Sequence, residues 1–218
     1  MFPYPIATPQ GCNIQTFYGP GTSSGDNIFT WNKPVGVSHV YMMIIGGGGT
    51  GDGTNGGGSG AVTVWYGSAQ HVPPNLQVII GGAEQSAFVY AYTSASSGGS
   101  SLLRASGGVG ATAGAAVTAP PFAASGFYKS TAGQNGSSSA NSASTTTFLS
   151  GAGTGSTSTS NYGYVNVQAA TNYTHGYFFM QPIIVGVAGI NDGDGGIGCG
   201  GAAASAKGGP GMVLIASW

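Results

Sequence analysis

The chain has 218 residues, of which 4% are charged and 43 are glycine, and its formal net charge is −1; an average soluble protein carries roughly 25% charged residues and ~7% glycine. Lys33, Arg104, Lys129 and Lys207 are too few to neutralise a useful run of phosphates, which excludes a nucleic-acid binder. A hydrophobic fraction of 41% excludes a charged disordered tail.

The first element in chain order is a Pro-rich lead, residues 1–27, carrying Pro3, Pro5, Pro9 and Pro20. Proline at this density forbids helix and favours extended chain, so the lead is expected to be an arm that docks on a neighbour. Its opening Met1-Phe-Pro-Tyr-Pro has neither a basic region nor an apolar stretch, so no secretory signal is expected. Residues 28–218 read as a single glycine-rich β domain with a Ser/Thr-rich insertion near 130–160. Within it, β-branched and aromatic residues, often alternating with polar ones, predict strands at 28–31, 37–45, 61–66, 76–80, 87–92, 162–167, 175–180, 182–187 and 212–218. No window has a 3.6-residue apolar period, and no apolar stretch is long enough to cross a membrane as a helix. The expected fold is all-β: an antiparallel β-sandwich or jelly-roll-like core with long glycine-rich loops and very little helix.

Between the strands lie Gly/Ser/Thr/Ala blocks at 46–60, 93–114, 130–160 and 189–211. Such composition usually means flexible linker. These blocks instead recur inside one strand system and contain Leu102, Leu103, Phe148 and Leu149, bulky residues a linker lacks. The ordered alternative is a bundle of polyproline-II-like runs. Glycine has no Cβ, so backbones approach closely and hydrogen-bond to one another. Ordering costs about 1–2 kcal/mol per residue, so the runs order only together.

Catalytic motifs are sparse. Gly46-Gly-Gly-Gly-Thr-Gly51 follows an apolar run and matches G-x-G-x-x-G, yet the glycines after it cannot open the helix a pyrophosphate needs. Asp192 and Asp194 are spaced as in a calcium loop, but Ile, Gly, Cys and Ala follow where further oxygen ligands belong. His39, His71 and His175 lack ligand spacing, and five acidic residues leave little for an acid–base pair. No enzyme activity, cofactor or metal is expected. Cys12 and Cys199 fit either one long-range bridge or two separate thiols.

The aromatics carry the remaining signal. Trp31 and Trp65 sit in strand patterns and are expected in the core. Tyr90, Tyr92, Tyr162, Tyr164 and Tyr173 lie among small polar residues and are candidate contact residues, since such tyrosines grip carbohydrate and anchor interfaces as well as fill cores. A near-zero charge removes the self-repulsion that keeps proteins apart, so association with copies of itself is expected.

The segment from Phe29-Thr-Trp31 through Lys33-Pro34 to the β-run ending in Ile44-Ile45 and Gly46-Gly-Gly-Gly49 resembles the opening of the glycine-rich domain of bacteriophage virion structural proteins. Gly60-Ala-Val-Thr-Val, Gln77-Val-Ile-Ile-Gly81-Gly82 and the closing Gly208-Gly-Pro-Gly-Met-Val-Leu-Ile-Ala-Ser-Trp218 resemble its continuation and its last strand. The resemblance implies a virion component, either a capsid decoration or coat protein or a tail-fibre tip. Its partners would be copies of itself, other virion proteins and a host-surface glycan, with no nucleic acid and no membrane. Two alternatives stand beside it: a secreted glycine-rich protein that polymerises into extracellular filaments, and a carbohydrate-binding receptor-recognition module.

Overall fold

β-branched and aromatic residues set most strands of this chain, and glycine marks where three of them stop. The computed structural model describes residues 11–21, 25–91, 101–136, 164–166, 184–187, 193–203 and 205–218. The strands are β1 (Asn13–Tyr18), β2 (Asp26–Asn32), β3 (His39–Ile45), β4 (Val62–Ser68), β5 (Asn75–Gly81), β6 (Ala87–Ala91), β7 (Leu103–Ala105), β8 (Gly126–Thr131), β9 (Tyr164–Asn166), β10 (Ile184–Val187) and β11 (Met212–Ser217). Helix among the described residues is confined to two short 3-10 turns, Ala69–His71 and Pro121–Ser125. The fold is all-β, as the sequence predicts.

Two antiparallel sheets carry the domain: a five-stranded one ordered β1-β11-β3-β4-β8 and a four-stranded one ordered β2-β5-β6-β7, with β9 and β10 forming a separate pair. Alternate residues of β3 explain how they pack. Val40, Met42 and Ile44 point toward the four-stranded sheet and share a core with Trp65, Val213 and Ile215 from their own sheet and Trp31, Leu76, Val78, Ile80, Val89 and Leu103 from the other. Tyr41, Met43 and Ile45 point the opposite way, into a second apolar cluster with Met212, Leu214, Ala216 and Cys199. A strand buried on both faces loses its polar alternation, which is why β3 reads His-Val-Tyr-Met-Met-Ile-Ile. Trp31 and Trp65 are both fully buried.

Three strands lie outside the sequence expectation. Within the Pro-rich lead, β1 pairs with β11 of the same chain, Tyr18 opposite Met212 and Asn13 opposite Ser217. β7 is three residues long and pairs with β6, while β8 pairs with β4 and forms an edge of the larger sheet. The expected strand at 175–180 lies outside the described residues. Cys12 is exposed and Cys199 is buried, with no disulfide between them.

The strand ends Tyr18, Ile45, Val62, Thr131 and Met212 share one row of the larger sheet. From this end of the sandwich the glycine-rich runs continue outward, and they are ordered. Along the run after β3, successive amides donate to different neighbours in rotation: Gly46 to Ala61, Gly47 to Gln85, Gly48 to Gly209, Gly49 to Gly58 and Gly51 to Ala206. The remaining amide, Thr50, donates to the Glu84 carboxylate. The sequence of neighbours therefore repeats every three residues. The returning run does the same, with Gly57 to Gly201, Gly58 to Gly110, Ser59 to Gln134, Gly60 to Gly198 and Ala61 to Ser106. Three residues per turn is the polyproline-II repeat, in which a chain makes no internal hydrogen bonds and turns its amides outward in three directions. The G-x-G-x-x-G pattern at 46–51 lies wholly inside this array, and no helix opens after it.

Candidate functional site

The glycine array is the first part of the candidate site, because its runs are joined to one another by backbone hydrogen bonds in several directions. At several glycines its spacing admits no side chain. A Cβ on Gly48 would land on the backbone carbonyl of Cys199, and one on Gly57 would land on that of Gly49. At the outer turn of the first two runs, Asp52 accepts hydrogen bonds from the amides of Thr54 at 2.9 Å and Asn55 at 2.6 Å. Asp194, one of the two calcium-loop-like carboxylates, accepts from the Lys207 amide at 2.8 Å and so serves the array.

Glu84 is the charged staple of this body. Its Oε1 accepts from the Thr50 amide at 3.0 Å and the Gly110 amide at 3.2 Å, tying together three runs that are distant in sequence. The residue sits at φ +65°, in the left-handed region. Partial burial pulls its pKa upward, but the amide hydrogen bonds outweigh burial and hold it below the ordinary 4.5. A depressed folded-state pKa means the stabilisation is fully present above the unfolded value and is lost as pH falls through the folded one. The thermal midpoint of the native chain should therefore drop on acidification below about pH 4.5, and Glu84→Gln should flatten part of that drop, with the two curves converging at low pH. Thermal unfolding followed from pH 7 to pH 2 measures this; parallel curves would show that the Glu84 charge is immaterial.

The second part is the outer face of the four-stranded sheet. Register places Ile28, Ile79, Phe88 and Arg104 in one row across all four strands, and Thr30, Gln77 and Tyr90 in the next. Their sequence neighbours Phe29, Val78, Val89 and Leu103 point into the core, so these side chains point out. Ile28 is 62% exposed. Phe88 and Tyr90 stack with centroids 5.6 Å apart, and the Arg104 guanidinium lies 5.3 Å from the Phe88 ring centre while donating to Ser86. Such a cation over a ring face gains about 0.5–1 kcal/mol at an exposed site. Partial burial raises the Tyr90 phenol above its ordinary 10; Arg104 opposes that rise and Asp26 adds to it. Tyr90 therefore stays a neutral hydroxyl at physiological pH, able to donate and accept. The face offers ring surface, one cation, amides and hydroxyls. It suits non-covalent recognition of a partly apolar, hydroxyl-bearing ligand. Among the described residues, no three His, Cys, Asp or Glu side chains come together.

Of the five tyrosines singled out by sequence, Tyr90 lies on this face. Tyr164 belongs to β9, and Tyr92, Tyr162 and Tyr173 lie outside the described residues. Sequence reading missed Phe88, Ile79 and Arg104. The local signal was present in β6, where Phe88 and Tyr90 alternate with Ala87, Val89 and Ala91. Lys33 serves structure: its Nζ donates to the carbonyls of Ala69 at 2.9 Å and Val72 at 2.7 Å.

The class of protein that this geometry defines is a two-sheet β domain extended at one end by a glycine-cohered array. No family model, curated protein or solved structure matches the chain.

Proposed function

We propose that this chain is a non-enzymatic structural component of a virion, of bacteriophage type, built into the particle with copies of itself. The observation that carries the reading is the three-residue rotation of amide partners along the glycine runs, which supplies cohesion through backbone groups and bare α-carbons. A body held this way needs few charged residues, and the chain has 4%. The resemblance of 29–49, 60–82 and 208–218 to the glycine-rich domain of phage structural proteins supports the same reading. Its place in the particle is either capsid decoration or coat, or tail-fibre tip, and its site of action is extracellular.

Imaging of native particles by electron cryo-microscopy tests this directly. Density for the domain on the capsid in hundreds of copies would exclude a fibre tip, a few copies at the tail end would exclude a coat, and absence from the purified particle would overturn the proposal. Fibres formed by the purified chain alone would favour the extracellular-filament reading instead.

One observation favours a receptor-recognition role within this proposal: the outward row of Ile28, Phe88 and Arg104 beside Tyr90. On a glycan array, the folded protein should bind a saccharide, and Phe88→Ala should reduce the signal by removing the ring that Tyr90 and Arg104 pack on. Silence of the folded native chain across the array would remove the glycan from the list of partners.

A further inference from the structure

Among the described residues, the two edges of the five-stranded sheet are β1 and β8. Sheet edges are ordinarily protected by charge, proline or a bulge, because an open row of N–H and C=O groups pairs with other strands. β8 carries Lys129. β1 reads Asn-Ile-Gln-Thr-Phe-Tyr and has no charge, no proline and no glycine. Two of its four exposed side chains are large and apolar, Ile14 at 53% exposed and Tyr18 at 49%, beside the polar Asn13 and Thr16.

These residues continue an existing surface. Ile14, Thr16 and Tyr18 stand opposite Ala216, Leu214 and Met212, which line the outer apolar cluster of the sheet. That apolar face runs out to β1 and stops there among the described residues. The strand is also held firmly from behind. Phe17 packs on Phe29 with ring centroids 5.3 Å apart. On the open side, where Ile14, Thr16 and Tyr18 turn their backbone groups, the Asn27 side-chain amide donates to the Tyr18 carbonyl at 3.0 Å, and that oxygen keeps a second lone pair for a partner strand. Little ordering remains to be done when a partner strand arrives.

The geometry points to a second copy of this chain as the occupant, its β1 pairing antiparallel with this β1 across a twofold axis. The inference rests on the self-assembling reading proposed above and names the surface that assembles. Residues directly opposite each other in an antiparallel pair share a face, so the register must set Ile14, Thr16 and Tyr18 against one another. The register of fullest overlap places Thr16 opposite Thr16 of the partner subunit, Ile14 opposite Tyr18 of the partner subunit, and Gln15 opposite Phe17 of the partner subunit. Threonine pairs and β-branched–aromatic pairs are the favourable cross-strand combinations, and the twofold makes the second of them twice. A net charge of −1 offers no repulsion between copies. The result would be one ten-stranded sheet running through two protomers.

Sedimentation velocity on the full chain over a concentration series tests the inference. Native protein should associate, and Thr16→Lys, which sets two ammonium groups opposite each other on the axis, should weaken the β1-dependent step at least tenfold. Thr118→Lys, the same change at an exposed position outside the strands, should leave association unchanged. Near-UV circular dichroism from the buried Trp31 and Trp65 reports whether each variant is folded. In a Cys12→Ser background, Thr16→Cys should form a disulfide-linked dimer on mild oxidation, which keeps the inference testable if Thr16→Lys fails to fold. Association that persists unchanged in folded Thr16→Lys, or no cross-link in folded Thr16→Cys, overturns the β1 pairing and leaves self-assembly standing. A native chain that is monomeric at every concentration overturns both.

Discussion

Replacing Gly48 by alanine should destabilise the protein by about 3 kcal/mol or more, the upper end of ordinary overpacking. The added methyl would land on the Cys199 carbonyl and lie 2.8 Å from the Gly200 amide nitrogen. Both obstacles are main chain, so no rotamer change relieves the contact. Nor can the run slide away, because the Gly48 amide donates to Gly209 at 2.8 Å and its carbonyl accepts from Glu84 at 2.9 Å. Relief requires two hydrogen-bonded runs to separate, and the three-residue rotation means that several neighbours would be displaced at once. For a domain of this size, 1 kcal/mol corresponds to roughly 2–4 °C in Tm, so a loss of about 6–12 °C is expected by calorimetry. Gly11→Ala is the control: nothing lies within 4 Å of the place its methyl would take, and its effect should stay within about 0.5 kcal/mol. Equal midpoints for the two variants would mean that the close packing of the runs contributes nothing to stability. The same experiment separates an ordered array from a linker, since alanine in a flexible Gly/Ser segment carries no steric penalty.

The contrast between β3 and β7 shows where sequence reading succeeds and where it stops. β3, β5 and β11 announce themselves through Val, Ile and Met packed into six or seven residues, because burial demands those side chains wherever the strand is placed. β7 is Leu103-Arg104-Ala105, and it is a strand because β6 supplies partners for it. That pairing spans a Gly/Ser-rich interval with no local signal. β1 is masked for a different reason: prolines before it make the whole lead look like an arm, although residues 13–18 themselves contain none. The candidate face is legible to the same degree. Tyr90 stands out as an aromatic among small residues, but the row Ile28–Ile79–Phe88–Arg104 is assembled from separate segments by register alone. The glycine runs are intermediate. Composition indicates that backbones meet there, while the identity of each neighbour is fixed by tertiary hydrogen bonds.

Trp65 is the other position where a large effect is expected, and two substitutions there separate packing from polarity. The indole is fully buried in the shared core of the two sheets, with its ring centroid 4.8 Å from that of Phe122. Gly67 on the same strand and Gly126 on β8 are register partners. A methyl on Gly67 would lie 2.5 Å from the Trp65 Cζ2, and one on Gly126 would lie 2.9 Å from its Nε1. The two glycines thus make the slot that the ring fills. Trp65→Ala would leave a slot lined by glycine backbone and apolar side chains that cannot close without shifting the paired strands, so a loss of about 3–5 kcal/mol is expected. Among the described residues the indole Nε1 has no hydrogen-bond partner, and a buried donor left unsatisfied costs about 1–3 kcal/mol. Trp65→Phe removes that donor while keeping most of the ring, so its packing loss is partly offset. It should cost well under half of what Trp65→Ala costs in chemical denaturation. If the phenylalanine variant were as unstable as the alanine one, the slot would be specific for the full indole, and the unpaired N–H would carry no penalty in the native protein.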